Sequence, residues 1–283
     1  MTAPWLLLAA LLPGFTPYHT STGATAHWDT ATFCYEMSDA LPPAVDLDRV
    51  EGLLSTAIRT WADLACAPKE VRYQGRTPKT HVDPAEGSGN TVVWITDPAD
   101  WTHVPGYYAL TTVTVQRADG VVLDADLEVN WGRHAFWWAD NTCPTDRIDL
   151  WNTLTHESGH LMGLDHSDVP GATMGPSAGF GDCYMRDLAE DDVDGYCWLA
   201  ANFPPTEKVV PCRAEPTDAE AAPEVDEPGP DRVEAEADAT VEAEGGGGGG
   251  CAEGQGTPRS ALTVIGLAIV ALALRRAASR TRP

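Results

Sequence analysis

"LTHESGHLMGLDHSD", residues 154–168, places three histidines and one glutamate within eleven residues. On a helix, positions four apart stand one above the other on the same face. His156 and His160 therefore present two imidazoles to one point and can hold a single metal ion from the same side. Glu157 falls beside that point rather than beneath it, which suits a carboxylate that handles a proton next to the metal. Gly163 comes three residues after His160. Glycine accepts the left-handed conformation that ends a helix, and a chain that turns there brings back His166 as a third ligand. Three protein ligands leave one position open, the pattern of a catalytic zinc; a structural zinc is closed by four. The short His-Glu-x-x-His form arises readily by chance, whereas the same form with Gly163 and His166 at fixed spacing is far rarer.

The longer stretch "HESGHLMGLDHSDVPGATMGP" (156–176) carries a resemblance. His156-Glu157-x-x-His160-x-x-Gly163-x-x-His166 is similar to the extended zinc signature of the metzincin peptidases. Gly159, the run 163–167 and Val169-Pro170 make it most similar to the matrixins, the matrix-metalloprotease branch. Met174 falls eight residues after His166, where that family has its Met-turn under the zinc. "RDLAEDDVDGYCWL" (186–199) resembles the family's last helix, and "DGVVLDADLEVN" (119–130) its cleft-rim strand. The likeness extends over residues 28–203.

The resemblance implies an α+β metzincin-like domain: a twisted, mostly parallel sheet with one antiparallel edge strand, an active-site helix beneath it and a C-terminal helix. It implies a zinc endopeptidase acting on protein or peptide substrates. One catalytic zinc would sit on His156, His160 and His166, Glu157 would be the general base, and Met174 would form an apolar floor. An extended peptide would pair with the edge strand around Leu123–Val129, with Leu123 and Leu127 on that rim. The pocket beyond the scissile bond would be walled by the zinc helix near Leu154 and by the loop Gly175–Phe180, Gly175 and Pro176 included. The family usually has a larger residue where Gly175 stands, so pocket depth departs from the pattern. A cysteine-switch segment is not recognisable before the domain, nor is the segment that holds a second zinc in animal members. His103 and His134 are isolated, as surface or core histidines are. Calcium could be held by Asp124, Asp126 or Asp140, although short acidic stretches are usually only solvated.

A chain of 283 residues allows one ordinary domain with extensions, and 43% hydrophobic residues suffice for a packed core. The net charge of −24 excludes a nucleic-acid binder, which needs a basic surface. A monomer is expected. Seven cysteines favour export. The six other than Cys251 can pair in about fifteen ways; Cys34–Cys66, tying the first strand to the end of the first helix, is the expected bond. With no Cys-x-x-Cys, a zinc site built from cysteines is disfavoured.

Both ends read as processing segments. "WLLLAALL" (5–12) fits a signal-peptide core, with Ala24-Thr25-Ala26 as a cleavage site after residue 26, and a buried N-terminal helix as the other reading. Few residues would then precede the first strand, so latency through a cysteine on zinc is not expected. The domain would end at residue 204. Residues 205–244 hold thirteen Asp or Glu against three Lys or Arg, and six glycines (245–250) follow. Such a stretch buries too little apolar area to offset its ordering entropy and should be extended and disordered. Cys251, the apolar run 261–274 and an arginine cluster resemble the C-terminal sorting tails of myxobacterial surface proteins, which are processed near the cysteine. A plain tail anchor is the alternative, and both imply attachment to a membrane.

Between these ends, 31–37, 70–75, 91–96, 107–116 and 121–130 read as strands, the last two joined at Asp119-Gly120. Val50, Leu53, Leu54, Ala57, Ile58, Trp61 and Leu64 recur at helical spacing, with Asp48 and Glu51 as a capping box. The zinc helix should run from about Asp146 to Gly163 and a last helix from about Ala189 to Leu199. Trp137-Trp138 either serve the core or line the cleft.

Overall fold

The computed structural model describes residues 14–82, 89–206, 212 and 231–237. In chain order its elements are β1 (Thr16–Pro17), β2 (Thr32–Ser38), α1 (Leu47–Ala62), β3 (Glu70–Thr77), β4 (Thr91–Trp94), β5 (Ala109–Val115) and β6 (Val122–Val129). There follow β7 (Phe136–Trp137), β8 (Ile148–Asp149), α2 (Leu150–Leu161), β9 (Leu164–Asp165), a 3₁₀ turn at Tyr184–Arg186, α3 (Glu190–Asn202) and β10 (Asp231–Ala237). The main sheet has the order β10-β5-β6-β4-β2-β3. β3, β2, β4 and β6 run parallel, while β5 is antiparallel to β6 and β10 antiparallel to β5. This is the expected α+β architecture, with one correction. The strand around Leu123–Val129 is β6, paired on both sides by β4 and β5; the antiparallel edge of the domain's own five strands is β5.

β4 shows how the sheet is buried. Successive side chains of a strand point to opposite faces. Val92 and Trp94 enter the large core under α1 and α2, while Val93 and Ile95 pack with Trp101 and Leu110 on the other face. A strand covered on both faces reads as a continuous apolar run rather than an alternation. α1 buries Val50, Leu53, Leu54, Ala57, Ile58 and Trp61, as its spacing required. Its cap is a correction: Asp46, not Asp48, accepts the Arg49 amide, while Asp48 and Glu51 turn outward to Arg76.

The disulfides also differ from expectation. Cys34 pairs with Cys212, Cys66 with Cys197, and Cys143 with Cys183. Cys66 follows α1 in a turn that faces α3, so it meets Cys197 instead of reaching back to Cys34. Serine at both Cys66 and Cys197 should cost about 2–4 kcal/mol, measured by denaturant unfolding under oxidising conditions.

Residues 14–26, part of the stretch expected to be a leader, pack against the rest of the domain. β1 pairs with β9, Tyr18 and Ala26 are buried, and Phe15 lies against Trp198 and Gly195. Residues 5–12, the six-glycine run, Cys251 and the apolar run 261–274 lie outside the described residues. Among the described residues no helix is long and apolar enough to cross a membrane. Within the stretch expected to lack partners, residues 231–237 form a strand, because the edge of β5 supplies backbone partners that need no apolar burial.

Candidate active site

α2 starts later than its pattern suggested. Asp149 caps it, its carboxylate accepting the Asn152 amide at 2.6 Å, and Arg186 pairs with the same carboxylate. The helix ends at Gly163, whose φ of +103° is the left-handed turn that position called for. Trp61 and Trp28 donate their indole N–H groups to the carbonyls of Thr155 and Leu161. These bonds fix the helix against α1 and the N-terminal segment. His156, Glu157 and His160 are all buried on α2.

The three histidines converge. Their candidate ligand atoms lie within 4.8 Å of one another, and among the described residues no other three His, Cys, Asp or Glu side chains come together in this way. Nε2 of His156 and Nε2 of His160 are 3.1 Å apart. Two nitrogens bound tetrahedrally to one zinc at about 2.0–2.1 Å would be about 3.3–3.4 Å apart, so the pocket is sized for that ion. The outer nitrogens are already committed. Nδ1 of His156 reaches the Thr173 carbonyl at 2.6 Å, and Nδ1 of His160 reaches the Leu164 carbonyl at 2.7 Å and the Tyr18 hydroxyl at 2.9 Å. An Nδ1–H donated to a carbonyl leaves the Nε2 lone pair free for a metal. Two buried atoms in the site have no protein partner, Nε2 of His166 and Oε1 of Glu157. Orphaned buried polar atoms are costly, and a cation with its water would satisfy both. The residues fit a zinc ion.

Burial sets the protonation states. Desolvation pushes His156 down to about 4. It does the same to His166, to about 3, helped by the neighbouring His156. His160 is lowered well below the usual imidazole range by burial and then by the other two rings. All three are thus neutral at pH 7, as metal ligands must be. Burial pushes the Glu157 carboxyl up to about 8, against the hydrogen bond from Thr111. A dication beside it would favour the carboxylate.

Three contributors were not visible in the sequence. Thr111, on β5, donates its hydroxyl to Oε2 of Glu157 at 2.6 Å. Asp192, on α3, accepts the amides of Thr173 and Met174 at 2.7 and 2.9 Å and so pins the turn beneath the histidines. Tyr18 reaches His160 from the N-terminal segment. Each lies far along the chain from the signature, and only a Thr, an Asp and a Tyr among many mark them.

Met174 is buried under α2 as expected, and Ser167 closes the turn by donating its amide to the Met174 carbonyl. Gly159 has a reason to be glycine: a Cβ there would lie 2.2 Å from the Met174 sulfur and 2.7 Å from the Trp61 ring. Gly159→Ala should destabilise the domain by about 1–3 kcal/mol and weaken metal binding, tested by thermal melting and zinc titration.

The expected substrate contacts fare unevenly. Leu127 and Leu154 are core residues, and Leu123 is exposed on β6, one strand away from the cleft. Gly175 does line a small cleft beside His156, with Tyr108, Asn152, Thr153, Ser177, Ala178 and Met185. Pro176 is exposed outside it. Of the candidate calcium ligands, Asp124 accepts the Gly89 and Asn90 amides, Asp126 that of Thr91, and Asp140 that of Thr142. His103 bonds Glu128 and His134 the Tyr107 carbonyl. Trp138 packs on the core, and Trp137 lies half-buried with Arg147 over its ring.

Comparison with known proteins agrees with this geometry. The sequence pattern of the matrixin family matches residues 27–200. Human neutrophil collagenase is 25% identical over 170 residues, covering 59% of this chain and 32% of its own length. Bovine interstitial collagenase is 26% identical over 189 residues, 65% and 34% of the two chains. Metalloendoproteinase 5-MMP of Arabidopsis thaliana is 45% identical over 60 residues, 21% and 16%. The chain thus spans about a third of the length of the two collagenases.

Proposed function

The chain belongs to the matrixin family of zinc metallopeptidases, and from that premise we propose that it is an exported endopeptidase in which Glu157 is the general base. The observation that carries this reading is the buried, unpartnered Oε1 of Glu157 next in sequence to one of three converging, neutral imidazoles, two of them oriented by backbone carbonyls. A metal that only stapled the fold would leave that buried oxygen without a use.

His156, His160 and His166 would hold the ion. Bound there, zinc supplies a Lewis acid that lowers the pKa of water to about 7 and polarises a carbonyl. The protein does the rest. Thr111 holds Oε2 of Glu157, and Oε1 is left without a protein partner. Through Oε1, Glu157 takes the proton of the attacking water and returns it to the departing amine. The carbonyls of Thr173 and Leu164 keep the two helical imidazoles turned inward. The cleft beside His156, with Gly175 and Met185 in its wall, would receive the side chain that follows the scissile bond. β5, directly over α2, would pair with the extended peptide, a case of strand addition.

A leader confined to the residues before Gly14 would suit export, since the packing of 14–26 leaves β1 and Tyr18 in place. The tail 251–283 would hold the chain at a membrane or cell surface, with or without processing near Cys251.

Profiling cut sites in a peptide library tests the reading: chelator-sensitive cleavage within chains is expected, and the absence of any cleavage by the zinc-loaded protein would contradict it. Thr111→Val should lower kcat about tenfold with zinc content and KM little changed, because the base loses its anchor and nothing else.

A further inference from the structure

An exposed strand edge presents a row of unpaired N–H and C=O groups that invites another strand. β5 is such an edge in the domain, yet it is covered. β10 pairs with it antiparallel along its whole length, from Asp231 opposite Val115 to Ala237 opposite Ala109. Ala235 stands opposite Thr111, the residue whose hydroxyl holds Glu157. β10 also comes against α2. A segment of the acidic tail therefore crosses the sheet edge at the point where the base is anchored.

The sequence allows this. "DRVEAEA" (231–237) contains neither Pro nor Gly, whereas Pro228-Gly229-Pro230 immediately precedes it. Each of its residues can donate an amide to a ladder, which proline cannot do. Cys212 is tied to Cys34 on β2, and eighteen residues separate it from Asp231. Such a tether reaches up to about 60 Å, ample to cross one domain. It would hold the segment at an effective concentration of the order of millimolar, which a free peptide must beat.

We propose that the outer edge of β5 is a docking edge for residues 231–237 of the same chain, which occupy it and keep other extended peptides out. The consequence for cleavage rests on the peptidase reading above; the docking itself does not. Tail displacement, by processing or by a partner that captures the acidic stretch, would then open the site.

The test uses the full chain and a variant with Val233→Pro and Ala235→Pro, which removes two amide donors from the ladder. Amide exchange of residues 109–115 and 231–237 should be about tenfold or more slower in the parent than in the variant. In a Glu157→Gln background, so that the peptide is not consumed, a labelled peptide of residues 229–239 should bind the variant about fivefold or more tighter than the parent. With Glu157 present, the variant should cleave a quenched peptide faster by a similar factor. Equal exchange, or equal peptide affinity, would overturn the proposal. Protection that grows with protein concentration would also overturn it, by assigning the strand to a second copy. If exchange and binding shift as expected but neither protein cleaves anything, the docking stands and the peptidase reading fails.

Discussion

Replacing Glu157 with glutamine is expected to lower kcat/KM for peptide cleavage by about 10²–10⁴-fold while zinc content stays at one per chain. Glu157 lies between the ligands in sequence but is not one of them: its Oε2 accepts the Thr111 hydroxyl, and its Oε1 has no protein partner. Glutamine keeps the size and can still receive that hydroxyl through its carbonyl oxygen, so the packing around α2 should survive. It cannot take a proton from water. Steady-state kinetics beside metal analysis and a thermal melt would check that activity falls while the metal stays. A variant that keeps half of its activity would show that Glu157 is not the base. A variant that loses its metal would show that the carboxylate helps to hold the ion.

His160→Ala should remove both zinc and activity, with metal affinity falling by more than about 100-fold. His160 is the most enclosed of the three ligands. Its Nε2 faces His156, and its Nδ1 is engaged by the Leu164 carbonyl and the Tyr18 hydroxyl. Alanine takes away one of the three converging imidazoles and the ring that the Leu164 carbonyl and the Tyr18 hydroxyl bond, so the domain should also melt at a lower temperature. His103→Ala is the control. That ring bonds Glu128, away from the cluster, and its loss should leave the zinc content unchanged. Retention of stoichiometric zinc by His160→Ala would mean that the ion sits elsewhere.

What could be read in advance follows from range. The candidate metal cluster was legible because His156, Glu157 and His160 share one helix, and His166 returns over a single glycine turn. Those are local geometric facts that spacing alone carries. The class of fold was legible for a similar reason, since apolar periodicity reports which face of each element is buried. Pairing across the molecule was not. Cys66 could have met any of several cysteines, and only the placement of α3 against the end of α1 selects Cys197. β5 and β6 carry similar apolar patterns, and nothing local says which has a free side. Leu127 and Leu154 fill the core rather than a cleft, and in sequence an apolar residue near a site reads the same either way. Thr111, Asp192 and Tyr18 act through a few hydrogen bonds to residues 18 or more positions away, a relation that no spacing rule encodes. At the N-terminus, small residues at 24–26 suit a cleavage site and a tightly packed turn equally well; Ala26 is buried.

Peptide cleavage by one zinc on three histidines, acting with Glu157, can be tested in a single titration. The most direct measurement is the cleavage rate of the chelated chain as zinc is returned to it. If three histidines hold one zinc that acts with Glu157, cleavage is absent without metal, rises linearly with added zinc and saturates at one equivalent per chain. Saturation at one equivalent in a metal-binding assay with no cleavage at any point would contradict this mechanism, as would cleavage that persists in the metal-free chain.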